Sequence, residues 1–440
     1  MDKPIRECLG QRKGFGLEKK TLKVGLFGLG TVGSGVVELL IKKAKRVGDN
    51  RFVLRKIVEN DLSRKKGASI SWKLVSSDPD WILNDPEIDT VIEVIGGIHP
   101  AQEIIMKSLE MGKNVVTANK ALLARAGSEI FQKSVENGCY LGIRASHIAS
   151  YRLIDSLISS PSQISTLQGV LNGTCNYLLT EMERKEEVFS VILKRAQAIG
   201  YVESDPSDDI DGYDTAHKLI VLLGLVSGTF LSLKSLYVEG IRRITLQDVK
   251  FARELGYRIK HLAIARMTGR VVEARVHPVL LPRGRGLARL EGVENGVELR
   301  DEMGLNISMQ VPGAGKYPAA TAILEDLICI AEDRKLLFLS EKEPLTLKRM
   351  EDIETKYYLR LNAFDQAGVL SKISGILGSH NISIQAVLQK GERKKEGYVP
   401  IILLTHKARE GNVQVALSEI GMLSAIQENP LLIRVEKETF

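Results

Sequence analysis

The stretch Glu203 to Lys218, ESDPSDDIDGYDTAHK, gathers six carboxylates into sixteen residues and ends on a lysine. An apolar run, LIVLLGLV, follows at once. Asp214 and Lys218 are four apart, so a helix over them sets both on one face, a turn apart. Pro206 suits a first helical turn, where its missing N–H costs nothing. The helix then continues as core and holds the pair at its wet end. A carboxylate beside a lysine at such a place can orient a substrate and move a proton. A solvated acidic loop ahead of a buried helix is the plainer alternative.

A second stretch points to a phosphate-bearing ligand. Gly28-Leu29-Gly30-Thr31-Val32-Gly33 joins the apolar LKVGLFGLG to the helical pattern TVGSGVVELLIKKAKR. In a G-x-G-x-x-G on a strand-to-helix turn, one glycine allows the tight turn and one the close approach of backbone to a pyrophosphate. The third allows close helix–strand packing. The helix N-terminus adds free N–H groups and the positive end of its dipole. Tight packing without a ligand is the alternative. Gly96-Gly97 closes a further apolar run, DTVIEVIGG, and Asn119-Lys120 another, NVVTANK. Lys120 there reads as functional rather than as an ordinary surface lysine. Gly313 and Gly315 make another glycine turn, which feeds a helix over 316–335.

The elements that must position these residues alternate. RFVLRKIVEND, DTVIEVIGG, NVVT and YLGIRAS read as strands, with helices over PAQEIIMKSLEMGK and KALLARAGSEIFQKSVENG. Such alternation predicts an α/β fold, a Rossmann-type doubly wound parallel sheet with its ligand at the strands' C-terminal ends. We assign 22–149 to this dinucleotide-binding domain, with 306–335 returning to it. Over 150–305 the alternation breaks, and strands STLQGVLNG and RVVEARVHPVLL mix with helices, an α+β substrate and dimerisation domain. Residues 336–355, rich in Glu and Lys, read as a linker. Residues 356–440 read in order as βαββαβ, a ferredoxin-like plait without an evident catalytic group, a sensor or interaction module that the chain could lose while staying active.

Composition narrows the class. The 440 residues, 44% apolar, suit two or three domains with ample core. The longest apolar stretch, Leu219 to Leu233, falls short of the roughly 20 residues that span a bilayer. The basic N-terminus lacks the apolar core of a secretory signal, and 1–21 reads as a disordered extension. Cys8, Cys139, Cys175 and Cys329 lie far apart without metal-ligand spacing, which fits a reducing cytoplasm. The net charge of +7 is spread along the chain without an aromatic-basic motif, so no nucleic-acid partner is expected, nor a membrane.

Taken together, VGLFGLGTVGSGVV, IGGIHPAQEIIMKSLEMGKNVVTANKALLA, VLNGTCNYLLTEME, GYVESDPSDDIDGYDTAHKL, YVEGIRRIT, ELGYRIKHLAIA and GAGKYPAATA resemble the homoserine dehydrogenase family. DQAGVL at Asp365 and NIS at Asn381 resemble an ACT domain, with Ala367 where that motif usually has proline. The resemblance implies NAD(P)-dependent interconversion of L-homoserine and L-aspartate 4-semialdehyde, on the route to threonine and methionine. A related dehydrogenase with altered substrate and an impaired cofactor-binding sensor are its rivals. It implies Lys218 as proton carrier, Asp214 orienting it, and Lys120 between substrate and nicotinamide. Glu203 would hold the substrate's ammonium among Asp205, Asp208 and Asp209, with Asn172, Gly173 and Thr174 lining the pocket. It implies cofactor contacts from Gly28 to Gly33 and at Gly96, Lys120, Gly313 and Gly315.

Cofactor choice turns on the strand end Val58-Glu59-Asn60-Asp61, where an acid could hold a ribose 2′-OH, against Arg64-Lys65-Lys66, able to pair with a 2′-phosphate. We expect NADP, with NAD as the alternative. The family's monovalent-cation loop (sodium or potassium, held by backbone carbonyls) corresponds to Arg144, His147, Ala149 and Tyr151. Here it reads RASHIASYR, and Arg144 stands in place of an acid. An amino-acid effector, threonine, is expected near Gly368 and Asn381, in a homodimer or homotetramer.

Overall fold

The computed structural model describes residues 21–43, 46–47, 50–61, 70–146, 162–284, 286–311, 315–334, 345–389 and 397–436. Strand β1, Thr21–Phe27, is apolar on both faces, and Leu22, Val24, Leu26 and Phe27 are wholly buried. A strand of that kind belongs inside a parallel sheet covered on both sides. Helix α1, Thr31–Glu38, leaves the glycine turn, and strands β2 (Asn50–Val58), β3 (Thr90–Glu93), β4 (Asn114–Thr117) and β5 (Leu141–Gly142) follow. Helices α2 (Ala101–Glu110) and α3 (Lys120–Glu136) connect the later strands. The order is β2-β1-β3-β4-β5, every one of these neighbours parallel. Chain direction across the sheet reverses between β1 and β3, the crevice where such sheets take their ligands.

The second sheet is larger. Strand β6 (Ile164–Val170) leads into helices α4 (Gly173–Lys185) and α5 (Phe189–Ala198). A single turn, Ser207–Ile210, then precedes α6, Tyr213–Ser227. Leu219 to Leu223 on α6 are all without exposure, as a helix that is apolar on every side must be. Helix α7 (Leu246–Glu254) and strands β7 (Tyr257–Thr268), β8 (Val271–Pro282), β9 (Asn295–Asp301) and β10 (Asn306–Val311) complete the domain. Helix α8, Lys316–Ala331, goes back to the first sheet and packs on α1, whereas Asn306–Val311, expected to return with it, stays in the second sheet beside β9. A Cβ on Gly35 of α1 would lie 2.9 Å from the backbone oxygen of Lys316, so that helix contact needs the glycine.

The plait forms with the expected order: β11 (Glu354–Phe364), α9 (Val369–Ser379), β12 (Ile384–Gln389), β13 (Tyr398–Thr405), α10 (Glu410–Gly421) and β14 (Leu431–Val435). It is not the pendant module that a charged linker led us to expect. Strand β14 pairs with β8, Val279 beside Arg434 and Leu280 beside Val435, so one sheet runs β10-β9-β6-β7-β8-β14-β11-β13-β12. Within the stretch read as linker, Thr346 and Leu347 pair with Val271 and Val272. One apolar cluster holds Leu178, Phe251 and Ile259 of the second domain together with Tyr358, Ile402 and Ile433 of the plait. Polar side chains seal the same boundary: Asp248 of α7 takes Arg360 Nε at 2.8 Å and the Tyr358 hydroxyl at 3.0 Å. The linker's charge is real, but it does not report that the two units are separate.

Candidate active site

The glycine turn has the shape its sequence predicts. Gly28 adopts φ +98°, and a Cβ there would lie 2.8 Å from the Val94 carbonyl oxygen. A Cβ on Gly33 would fall 2.1 Å from the Gly28 oxygen, so α1 can start this close to the turn only without one. Gly30 occupies the N-cap of α1 without a side-chain cap, and no acid stands in its first turn. Among the described residues no side chain caps the first turn of α1, an arrangement suited to a pyrophosphate. Glu59, at the end of β2, accepts from the backbone N–H of Leu29 at 2.6 Å and of Asp61 at 3.0 Å, so it braces this turn.

Across the crevice, Gly96 and Gly97 follow β3 with φ +82° and +72° and open space where a Cβ would stand. Their loop is pinned by a residue that the motif search passed over. Glu93, fully buried, accepts from the N–H groups of Ile95 (2.8 Å) and Gly96 (3.3 Å) and from the Thr117 hydroxyl (2.6 Å). Thr117 accepts from Asn119 N at 3.0 Å, and the Asn119 amide donates to Gly97 O at 2.7 Å. The signal available in the chain was an acid inside an otherwise apolar strand, VIEV, because a buried carboxylate must find donors. Gly315 stands at the N-cap of α8 in extended backbone, and Gly313 lies outside the described residues.

Asn119 caps α3 and so sets Lys120 at its first position. Lys120 Nζ reaches out of this domain to Asp214 Oδ1 at 3.1 Å. Asp214 lies on the first turn of α6 and meets Lys218 Nζ at 2.7 Å through its other oxygen. The Asn172 amide donates to that same Oδ2 at 2.9 Å. Burial opposes the Asp214 charge, but Lys218, Lys120 and Asn172 outweigh it and hold the carboxyl well below the usual carboxylate range. Burial also opposes the charge of Lys120, yet Asp214, helped by Asp209 and Asp208, raises its pKa. Lys218 donates its second hydrogen bond to Leu171 O at 2.6 Å. An ammonium has three donors, and the third has no partner among the described residues.

The acidic run divides by partner. Asp205 closes the Ser207 turn (3.1 Å), and Asp211 pairs with Arg242. Asp209 takes the Asn172 amide at 2.6 Å and the Thr174 hydroxyl at 2.8 Å. Asn172 and Thr174 thus brace the carboxylates at the start of α4, and Gly173 between them is needed because a Cβ would lie 2.9 Å from Val293 O. Glu203 and Asp208 are exposed, with no side-chain hydrogen bond among the described residues, so they are the acids left for a cationic ligand.

Arg144 corrects an expectation. Rather than adding positive charge to a loop, its guanidinium turns into the protein onto the buried Asp326 of α8 and the Tyr140 hydroxyl. Burial pushes the Asp326 carboxyl up to about 6, with Arg144 and Tyr140 pulling the other way. His147, Ala149 and Tyr151 lie outside the described residues. Among the described residues no group of His, Cys, Asp and Glu could hold a metal ion, and no helix is long and apolar enough to cross a membrane.

Comparison with known proteins bears on this arrangement directly. A family model described as the homoserine dehydrogenase NAD-binding domain matches residues 28–143, and one described as homoserine dehydrogenase matches 151–328. A Neisseria gonorrhoeae homoserine dehydrogenase is 35% identical over 433 residues, 95% of this chain and 99% of that one. The chain belongs to the homoserine dehydrogenase family. A Pseudomonas aeruginosa homoserine dehydrogenase is 36% identical over the same shares. The crystal structure of a homoserine dehydrogenase from Thiobacillus denitrificans superposes with a TM-score of 0.88 at 37% identity, covering 95% of this chain and 99% of that chain. An ACT domain model matches 357–421. The chain is therefore an oxidoreductase acting on a CH–OH group with a nicotinamide cofactor, and neither an altered substrate nor an idle sensor is favoured. The residues matched by the NAD-binding model include the glycine turn and Gly96.

Proposed function

We propose that the chain interconverts L-homoserine and L-aspartate 4-semialdehyde with NADP, and that Lys218, Asp214, Lys120 and Glu203 carry the reaction. One observation supports these roles above others: a lysine from each of two domains meets on a single buried carboxylate beside the cofactor crevice. When bound, the nicotinamide supplies the hydride acceptor or donor. During reduction the Lys218 ammonium gives a proton to the carbonyl oxygen, and during oxidation the neutral amine takes the hydroxyl proton and becomes the ammonium again. Asp214 holds that lysine in place, and Lys120 faces the substrate oxygen from the cofactor side. Glu203, with Asp208 beside it, binds the substrate's ammonium. NADP is favoured because Glu59, the acid that would select NAD, already accepts from two backbone N–H groups. The basic residues 64–66, which lie outside the described residues, are the proposed partners of a 2′-phosphate.

Threonine is the proposed effector. Gly368 is the N-cap of α9 and Asn381 follows its C-cap His380, so the two stand at opposite ends, roughly 20 Å apart at 1.5 Å per residue. One threonine touching both takes Gly368 from one copy and Asn381 from another, which requires the homodimer or homotetramer. The widely spaced cysteines, free at Cys139, Cys175 and Cys329, fit a cytoplasmic enzyme. Homoserine-dependent reduction of NADP⁺ and NAD⁺ by the purified protein tests the reading, and a higher kcat/KM with NADP⁺ is expected. Repeating the assay with sodium or potassium at constant ionic strength tests the cation. A flat response means that 144–152 no longer serves one.

A further inference from the structure

Helix α6 carries the carboxylate–lysine pair, yet no side chain caps its start: Gly212 stands at the N-cap with φ +93°. Residues 237–241 hold that start instead. Ile241 N donates to Ile210 O at 2.8 Å, and a Cβ on Gly240 would lie 2.1 Å from the same oxygen. A Cβ on Gly212 would lie 3.1 Å from both Val238 and the His261 ring. His261 joins the two segments, Nε2 to Glu239 O at 3.0 Å and Nδ1 to the Thr215 hydroxyl at 3.4 Å. A carbonyl only accepts, so Nε2 carries the proton and Nδ1 accepts from Thr215, the residue after Asp214.

The plait grips the same segment from behind. Arg434 of β14, almost wholly buried, donates to Glu239 Oε2 at 2.7 Å and to the Tyr237 hydroxyl at 2.9 Å. Its other donors go to Glu410, the first residue of α10, at 2.6 and 3.1 Å. The guanidinium carbon lies 4.8 Å from the Tyr237 ring centre, and the Tyr237 hydroxyl donates to Glu239 Oε2 at 2.8 Å. A planar fork satisfied on both sides admits one geometry, which a single ammonium could not impose.

We propose that Arg434, acting through Glu239, is a positioning residue for Asp214 and Lys218, so that the inner edge of the plait is part of the active-site support. The proposal rests on the roles given to Asp214 and Lys218 above. It also supplies a route for regulation. Residues 237–239 are hydrogen-bonded to β8 at Arg275 and Val276, so a ligand state that shifts α10 or β14 against β8 would act on this segment through the Arg434–Glu239 pair.

The test uses the full-length chain with Glu239→Gln and Arg434→Lys, which keep size and a hydrogen-bonding head. We expect kcat to fall about tenfold in each, less than the roughly hundredfold that a 1 Å misplacement costs. The NADPH dissociation constant, read from cofactor fluorescence, should not move, because the glycine turn lies on the other domain. Thr215→Val approaches from the α6 side, and combined with Glu239→Gln it should lower kcat by less than the product of the single effects. Folded variants with wild-type kcat and only a lower melting temperature would show a purely structural contact and overturn the proposal. Should Arg434→Lys not fold, Glu239→Gln and Thr215→Val decide by the same criterion. Lys218→Ala, assayed alongside, separates the two levels. Near-normal turnover there removes the roles themselves and the proposal with them. A dead Lys218→Ala beside fully active Glu239→Gln and Thr215→Val removes the positioning alone.

Discussion

Asp214 accepts from two ammonium groups, and the two are not equivalent. The Lys218 side chain is 7% exposed, while Lys120 keeps 39% of its side chain in solvent. Asp214→Asn therefore strands a buried charge at Lys218, and removing one partner of a buried pair costs about 3–5 kcal/mol. An unfolding free energy lowered by that amount in urea titration is the expected result, and an unchanged value would mean that Lys218 finds another partner. Lys218→Ala removes the proton carrier. Its kcat should drop about 10²–10⁴-fold, with NADPH still bound at its normal affinity. Glu203→Gln keeps the shape but loses the charge that meets the substrate's ammonium. A raised KM for homoserine with kcat nearly retained is expected; a normal KM would pass that role to Asp208.

The elements at the plait boundary decide a second outcome. A chain ended near residue 340 would strip Tyr358, Ile402, Leu404, Leu431, Ile433 and Val435 from the apolar cluster they share with the second domain and leave Asp248 without Arg360. Each such apolar side chain contributes about 1.5–3 kcal/mol when buried, so losing several exceeds the roughly 5–15 kcal/mol stability of a typical domain. We expect the truncated chain to lose its cooperative thermal transition rather than to remain an active, effector-insensitive core. A wild-type melting curve and normal turnover from that fragment would refute this. The sequence reading had it the other way, because a Glu- and Lys-rich stretch looks like a spacer. The pairing of β14 with β8 is invisible in composition.

For the whole molecule, pH should act through buried groups of opposite sign. Burial pushes His261 down to about 4 from an ordinary 6.5, and it takes His277 well below that ordinary value. The unfolded chain then binds protons below 6.5 that the folded one refuses, so stability falls as pH drops from 6.5 toward 4. At 1.36 kcal/mol per unit, His261 alone accounts for about 3 kcal/mol. Asp326, raised to about 6 from 3.8, works against this, because the folded carboxyl gains its proton first as pH falls. Its contribution is also roughly 3 kcal/mol, which leaves His277 to tip the sum. A lower urea midpoint at pH 4.5 than at pH 7 is expected, and His261→Gln should flatten the slope. Threonine sets the last prediction. Asn381→Gly keeps the left-handed backbone at φ +58° while removing the amide, so threonine inhibition should weaken without loss of basal turnover. Unchanged inhibition would place the effector elsewhere.

By itself the sequence determined the elements and the crevice. The glycines from Gly28 to Gly33 are local geometry, the alternation of strands and helices is local periodicity, and the four-residue spacing of Asp214 and Lys218 needs only a helix. Partner choice was decided by the tertiary structure alone. Among six similar carboxylates it gave Asp209 to Asn172, 37 residues away, and Asp214 to lysines from two domains. It turned Arg144 onto Asp326, 182 residues on, and joined Arg434 to Glu239 across 195 residues. No spacing rule reaches that far, because burial costs a charged group several kcal/mol, and whichever opposite charge the fold brings beside it becomes its partner.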